Sequence, residues 1–188
     1  MDKIELHWQG PFSFFPNEVD PYLFDHPLAA CQGIYLWTVP TAAGMKVAYV
    51  GKAGGKGRKS TFGSRLGPEL REAMTARYQQ LLDLTLWKNG NRLVVKGYSA
   101  YDESQYQETL DAIRRACRVY LAVVEADEPT LVSIEELLVR RLTEFHQADE
   151  LPTGCVPFLS NRRRIRPVDN LAVSSRSCGI LGLSGDTL

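Results

Sequence analysis

The chain has 188 residues, 44% of them hydrophobic and 23% charged, and its formal net charge is zero. That length fits one domain, or one domain with extensions, and can bury a core. No apolar run reaches the ~18 residues of a membrane span, the N-terminal MDKIELHWQG lacks a signal-peptide core, and zero net charge does not advertise a nucleic-acid partner. Cys31, Cys117, Cys155 and Cys178 lie far apart without a C-x-x-C pair, which reads as reduced thiols and predicts a cytoplasmic protein. His7, His26 and His146 lack ligand spacing.

Residues 1–32 carry Trp8, Phe12, Phe14, Phe15, Tyr22 and Phe24 among Pro11, Pro16, Pro21 and Pro27. Ile4 to Trp8 alternates like an edge strand. The rest reads as an extended arm packed on the domain, because prolines block regular structure. Its aromatic residues suit core packing better than a base-stacking platform.

Gly33 to Val39, GIYLWTV, is rich in β-branched and aromatic residues and predicts a strand. Pro40 to Gly44 predicts a turn, and Lys46 to Gly51, KVAYVG, a second strand. So short a link makes the two an antiparallel hairpin. Alternation places Tyr35 and Tyr49 on one face, with Trp37 and Val47 beside them. Core packing of two phenols is the competing reading.

Lys52 to Ser60 is glycine-rich and basic but lacks P-loop spacing. It is either a loop that touches phosphates or a linker. Phe62 to about Leu84 predicts a helix, interrupted at Gly67-Pro68 and restarting at Pro68. Asn89-Gly90 predicts a small inserted hairpin near residues 85–98. Glu103 to Cys117 reads as a helix and Val119 to Glu125 as a central strand.

A helix follows from Pro129 to about Gln147. At ~100° per residue, Leu131, Ile134, Leu138, Leu142 and Phe145 form one stripe, and Glu135 falls inside it. A carboxylate on an apolar face is costly unless it is paired or holds a metal, so Glu135 stands out. A salt bridge at the core's edge is the alternative. Residues 166–188 read as a loosely ordered tail. Charge is polarised along the chain. Lys52, Lys56, Arg58 and Lys59 form one basic cluster and Arg162, Arg163, Arg164 and Arg166 another, and together they could make a phosphate-binding face.

The ordered set Gly33-Ile34-Tyr35, Tyr49-Val50-Gly51, Arg65, Glu135 and Asn161 resembles the GIY-YIG nuclease family over residues 33 to about 165. The resemblance implies an α+β, sandwich-like fold with a small, mainly antiparallel sheet flanked by helices. It implies that Tyr35 is a general base or positions water, and that Tyr49 is its partner in the second motif. It also implies that Arg65 binds phosphate, Glu135 binds the metal and Asn161 braces the site, with Asn170 as fallback for Asn161. Two departures stand out. Val50 replaces the usual Ile, and Glu69 occupies the position one turn after the arginine, where many members carry His or Tyr.

The chemistry suits these residue types. A lone Glu135 fits one hard cation, Mg²⁺ or Mn²⁺, that keeps most of its waters. Arg65 offers a fork for a phosphate. A phenol with a pKa near 10 needs neighbouring cations to act as a base, and Lys52 and Arg65 are the candidates. The expected function is therefore a stand-alone, metal-dependent endonuclease acting on DNA, with RNA as a weaker substrate class. Cutting both strands would take a homodimer or two successive nicks. The rival is a catalytically inactive domain of the same fold that binds nucleic acid or a protein.

Overall fold

The computed structural model describes residues 3–41, 43–55, 60–74, 111, 114–115, 117–148, 171–176 and 179–183. Lys56, Arg58, Lys59, the hairpin expected near 85–98, nearly all of the helix expected from Glu103, Asn161, Arg162, Arg163, Arg164 and Asn170 lie outside the described residues.

Four strands form one antiparallel sheet: β2 (Gln9–Phe12), β3 (Gly33–Thr41), β4 (Gly44–Ala53) and β5 (Arg118–Val123), in the order β2-β5-β3-β4. A second, two-stranded sheet pairs β1 (Lys3–His7) in parallel with β6 (Ala172–Arg176), so the stretch expected to be a loosely ordered tail instead supplies a strand, held by that pairing and by burial of Val173, Ile180 and Leu183. Helix α1 spans Phe62–Met74 and helix α2 spans Glu128–Ala148. The architecture is mixed α+β, as expected.

The arm differs most from expectation. Its prolines do not prevent pairing, because β2 joins the sheet as an edge strand against β5, where a proline need not donate to a neighbour. Phe12 at the end of β2, and Phe14 and Leu23 beyond it, fill the core, and the Phe14 ring lies 4.3 Å from that of Trp37. Arg118 Nε, at the start of β5, donates to Asp20 Oδ2 at 2.6 Å and ties the arm to the sheet.

The β3–β4 hairpin forms as predicted, but with a tighter link. Pro40 and Thr41 remain in β3, paired with Met45 and Gly44. Pro40 is tolerated there because pairing with β5 already ends at Thr38. A β-bulge shifts the register: Trp37 pairs with Tyr49, but Thr38 pairs with Val47, leaving Ala48 as the extra residue. Val47 is therefore not beside the tyrosines. It packs on the opposite face with Ile34, Leu36 and Val50. Gly33 opens β3 at a φ of +145°, where a Cβ would strike the Ala122 carbonyl of β5.

The sheet separates two apolar layers. On one face Tyr35, Trp37, Val39, Tyr49, Val119 and Leu121 pack against the arm and against Phe62, Leu66 and Leu70 of α1. On the other, Ile34, Leu36, Val47, Val50, Tyr120 and Ala122 pack against the predicted stripe of α2, Leu131, Ile134, Leu138 and Leu142. α2 lies mainly on β4 and also touches β3.

α1 starts with reciprocal capping. Thr61 N donates to Ser64 Oγ at 2.8 Å, and Ser64 N donates to Thr61 Oγ1 at 3.3 Å. The helix then runs unbroken through Gly67-Pro68, contrary to the expected restart. Pro68 forfeits one intrahelical hydrogen bond, but burial of Leu66, Glu69 and Leu70 around it holds the helix against the sheet.

Cys31 and Cys117 are free thiols, and burial pushes the Cys117 thiol far up, which keeps it protonated and inert. Among the described residues no helix is long and apolar enough to cross a membrane.

Candidate active site

β3 runs between β4 and β5, so its backbone is held on both edges and Tyr35 is fixed in position. Tyr35 pairs directly with Gly51, and its ring lies over that glycine. The hairpin motifs thus interlock: the tyrosine of the first occupies the space that a side chain at the glycine of the second would take. The ring meets Phe62 of α1 edge-on at 6.4 Å and Tyr49 of β4 at 6.2 Å. Tyr35 is fully buried.

The hydroxyl of Tyr35 donates to Glu69 Oε1 at 2.6 Å. Arg65 Nε, one helical turn earlier, meets the same oxygen at 2.9 Å. Glu69 lies on the buried side of α1 with Phe62, Leu66 and Leu70. An isolated carboxylate there would cost several kcal/mol, and the phenol and the guanidinium offset that cost together. The Glu69 side chain is 4% exposed, whereas that of Arg65 is 39% exposed. The three groups therefore run from the sheet interior outward, tyrosine to carboxylate to guanidinium.

Charge in this cluster is settled by burial and by Glu69. Desolvation first, and then the negative Glu69, push the Tyr35 phenol well above its usual 10, and the opposing pull of Arg65 is weaker. Tyr35 is thus a protonated donor. Burial disfavours the charge on Arg65, but the negative Glu69 and a hydrogen bond to the Tyr35 oxygen outweigh it and hold the guanidinium ionised.

The expectation that Lys52 and Arg65 would together acidify Tyr35 does not hold. Lys52 pairs with Ile34 in register, so its side chain leaves the sheet on the α2 face. There its Nζ lies 3.1 Å from Glu128 Oε1 at the start of α2. Lys52 serves as a buried anchor of β4 to that helix.

Glu135 is buried within the α2 stripe, where periodicity placed it. It follows Glu128 by seven residues, close to two turns, so both share the side that α2 presents to β4. The structure brings Tyr35, Tyr49 and Arg65 together on one sheet face and carries Glu135 on the helix that covers the other. β4, which bears Tyr49, is the terminal strand of its sheet among the described residues, and it borders both layers. Among the described residues no three His, Cys, Asp or Glu side chains gather as a multi-ligand metal centre would require.

Glu69 is the residue that the sequence reading passed over as a mere departure. Its signal was present: it stands four residues after Arg65 on a helix, the spacing at which opposite charges meet. Comparisons with protein-family models, curated proteins and solved structures find no match to this chain.

Proposed function

We propose that this chain is a Mg²⁺-dependent endonuclease of the GIY-YIG type that hydrolyses phosphodiester bonds in DNA. The observation that supports it best is the Tyr35–Glu69–Arg65 cluster beside Tyr49, in which a buried scaffold ends in a half-exposed guanidinium. Such a guanidinium suits the equatorial oxygens of a phosphodiester, where negative charge grows in the transition state. Tyr49, next to Tyr35, orients the scissile group or the attacking water. Glu135 would hold the ion, which when bound supplies an acidified water and neutralises phosphate charge. Further phosphate contacts fall to Lys56, Arg58, Lys59, Arg162, Arg163 and Arg164, with Asn161 as the bracing group. Lys52 holds β4 to α2 instead.

The second reading is a non-catalytic domain of the same type that binds nucleic acid or a protein. It is favoured by the complete burial of Tyr35, which keeps the phenol from solvent.

Nicking of supercoiled plasmid in Mg²⁺ or Mn²⁺ against EDTA separates the two. The endonuclease predicts metal-dependent nicking that falls ~100-fold or more in both Glu135→Ala and Arg65→Ala. Equal traces from wild type and both variants would overturn it.

A further inference from the structure

We infer that Glu69 is a positioning residue for Arg65 and that Tyr35 acts through Glu69, so that Tyr35 and Glu69 together aim the guanidinium at a DNA phosphate. This rests on the endonuclease reading and deepens it, because it gives Tyr35 a role other than that of a base.

The geometry carries the inference. Arg65 engages Glu69 through Nε, the nitrogen nearest its aliphatic stem. That bond restricts the plane of the guanidinium, whose side chain is still 39% exposed and so can meet a phosphate. The same carboxylate oxygen accepts from Tyr35 at 2.6 Å, so Glu69 is itself held from the sheet side. Tyr35 cannot swing away, with Gly51 beneath its ring and Phe62 and Tyr49 against it. The order of exposure agrees, since the only member of the three at the surface is Arg65. A base must meet the attacking water, and a fully buried phenol whose proton already points at a carboxylate does not. A guanidinium pre-set in one plane loses less freedom on binding phosphate than a free one.

The test compares wild type with Tyr35→Phe, Glu69→Gln, the double variant and Arg65→Lys. Affinity for a fluorescent DNA duplex is measured in EDTA, where no cutting occurs, and plasmid nicking is measured in Mg²⁺ across pH. Melting curves and far-ultraviolet circular dichroism show that each variant is folded. The inference predicts roughly tenfold weaker DNA binding for Glu69→Gln and a several-fold loss for Tyr35→Phe, as expected when one buried hydrogen bond is removed. The double variant should be no worse than Glu69→Gln alone, because the two residues act in series. KM should rise more than kcat falls, and the pH profile of nicking should keep its wild-type shape.

Should Glu69→Gln fail to fold, Arg65→Lys decides, since a lysine cannot reproduce the fork and must weaken binding similarly. Wild-type affinity in Arg65→Lys overturns the inference. So does a Tyr35→Phe variant that binds DNA normally, fails to cut and loses one limb of the pH profile, and that result leaves the endonuclease reading standing. A wild type that neither binds nor cuts DNA removes both.

Discussion

Gly51→Ala probes the interlock between the two hairpin motifs. A Cβ on residue 51 would lie 2.6 Å from Cε2 of Tyr35 and closer still to its Cζ and hydroxyl oxygen, well inside any real contact. The ring has nowhere to go, with Phe62 edge-on at 6.4 Å, Tyr49 at 6.2 Å and the hydroxyl bonded to Glu69. Overpacking a well-filled core costs ~1–3 kcal/mol. Displacing the phenol from Glu69 leaves a buried carboxylate short of a donor, at a further ~1–3 kcal/mol. Reduced entropy of the unfolded chain returns about 0.4–1 kcal/mol. The net expectation is a loss of about 1–6 kcal/mol, a large share of the ~5–15 kcal/mol of an ordinary domain. Urea unfolding followed by tryptophan fluorescence measures it, with Trp37 in the same layer as a reporter. A change below ~0.5 kcal/mol, the size of an ordinary surface substitution, or a gain in stability would refute the placement of the Tyr35 ring over Gly51.

Two further outcomes follow from the same geometry. At the Lys52–Glu128 pair, Lys52 is 5% exposed and Glu128 is 40% exposed. Glu128→Gln strands a buried ammonium, whereas Lys52→Met frees a carboxylate into water. Thermal melts should therefore show the glutamate variant to be the less stable of the two, by ~1–3 kcal/mol. For pH, the Tyr35 phenol is raised in the folded state, so its contribution is complete below pH ~10 and is lost as pH climbs above that value. Urea melts between pH 8 and 11 should show wild type losing up to ~1.4 kcal/mol per pH unit more steeply than Tyr35→Phe above pH ~10. Parallel curves would contradict the raised phenol.

What was legible in the sequence was whatever local periodicity carries. The β3–β4 hairpin, the central strand β5 and the apolar stripe of α2 with Glu135 inside it all follow from alternation or from 3.6-residue spacing. The bulge at Ala48 was not legible, because period-2 alternation cannot reveal one extra residue, and Val47 changed faces as a result. Pro68 misled because its local preference is overridden by burial of Leu66, Glu69 and Leu70. β2 was hidden because an edge strand tolerates the proline that argued against it. At the site, the family resemblance pointed to Tyr35, Tyr49 and Arg65 and the apolar stripe to Glu135, but neither pointed to the shared carboxylate. Whether Glu69 faces solvent or the phenol depends on how α1 rotates against β3, and that is a long-range property.

The pairing of β1 with β6 imposes a schedule on synthesis. Lys3 is in register with Ala172, and Trp8 Nε1 donates to Ser175 Oγ at 2.8 Å across 167 positions of sequence. Among the described residues, β2, β3, β4, β5, α1 and α2 have all been made once Ala148 emerges, whereas β6 does not end until Arg176. At ~5–20 residues per second, β6 is complete roughly 1–6 seconds after Ala148, and β1, finished at His7, waits about 8–34 seconds for its partner. During that interval Leu6, fully buried in the finished protein, lies beside an open strand edge. The first of the described strands is thus among the last of these elements to be secured.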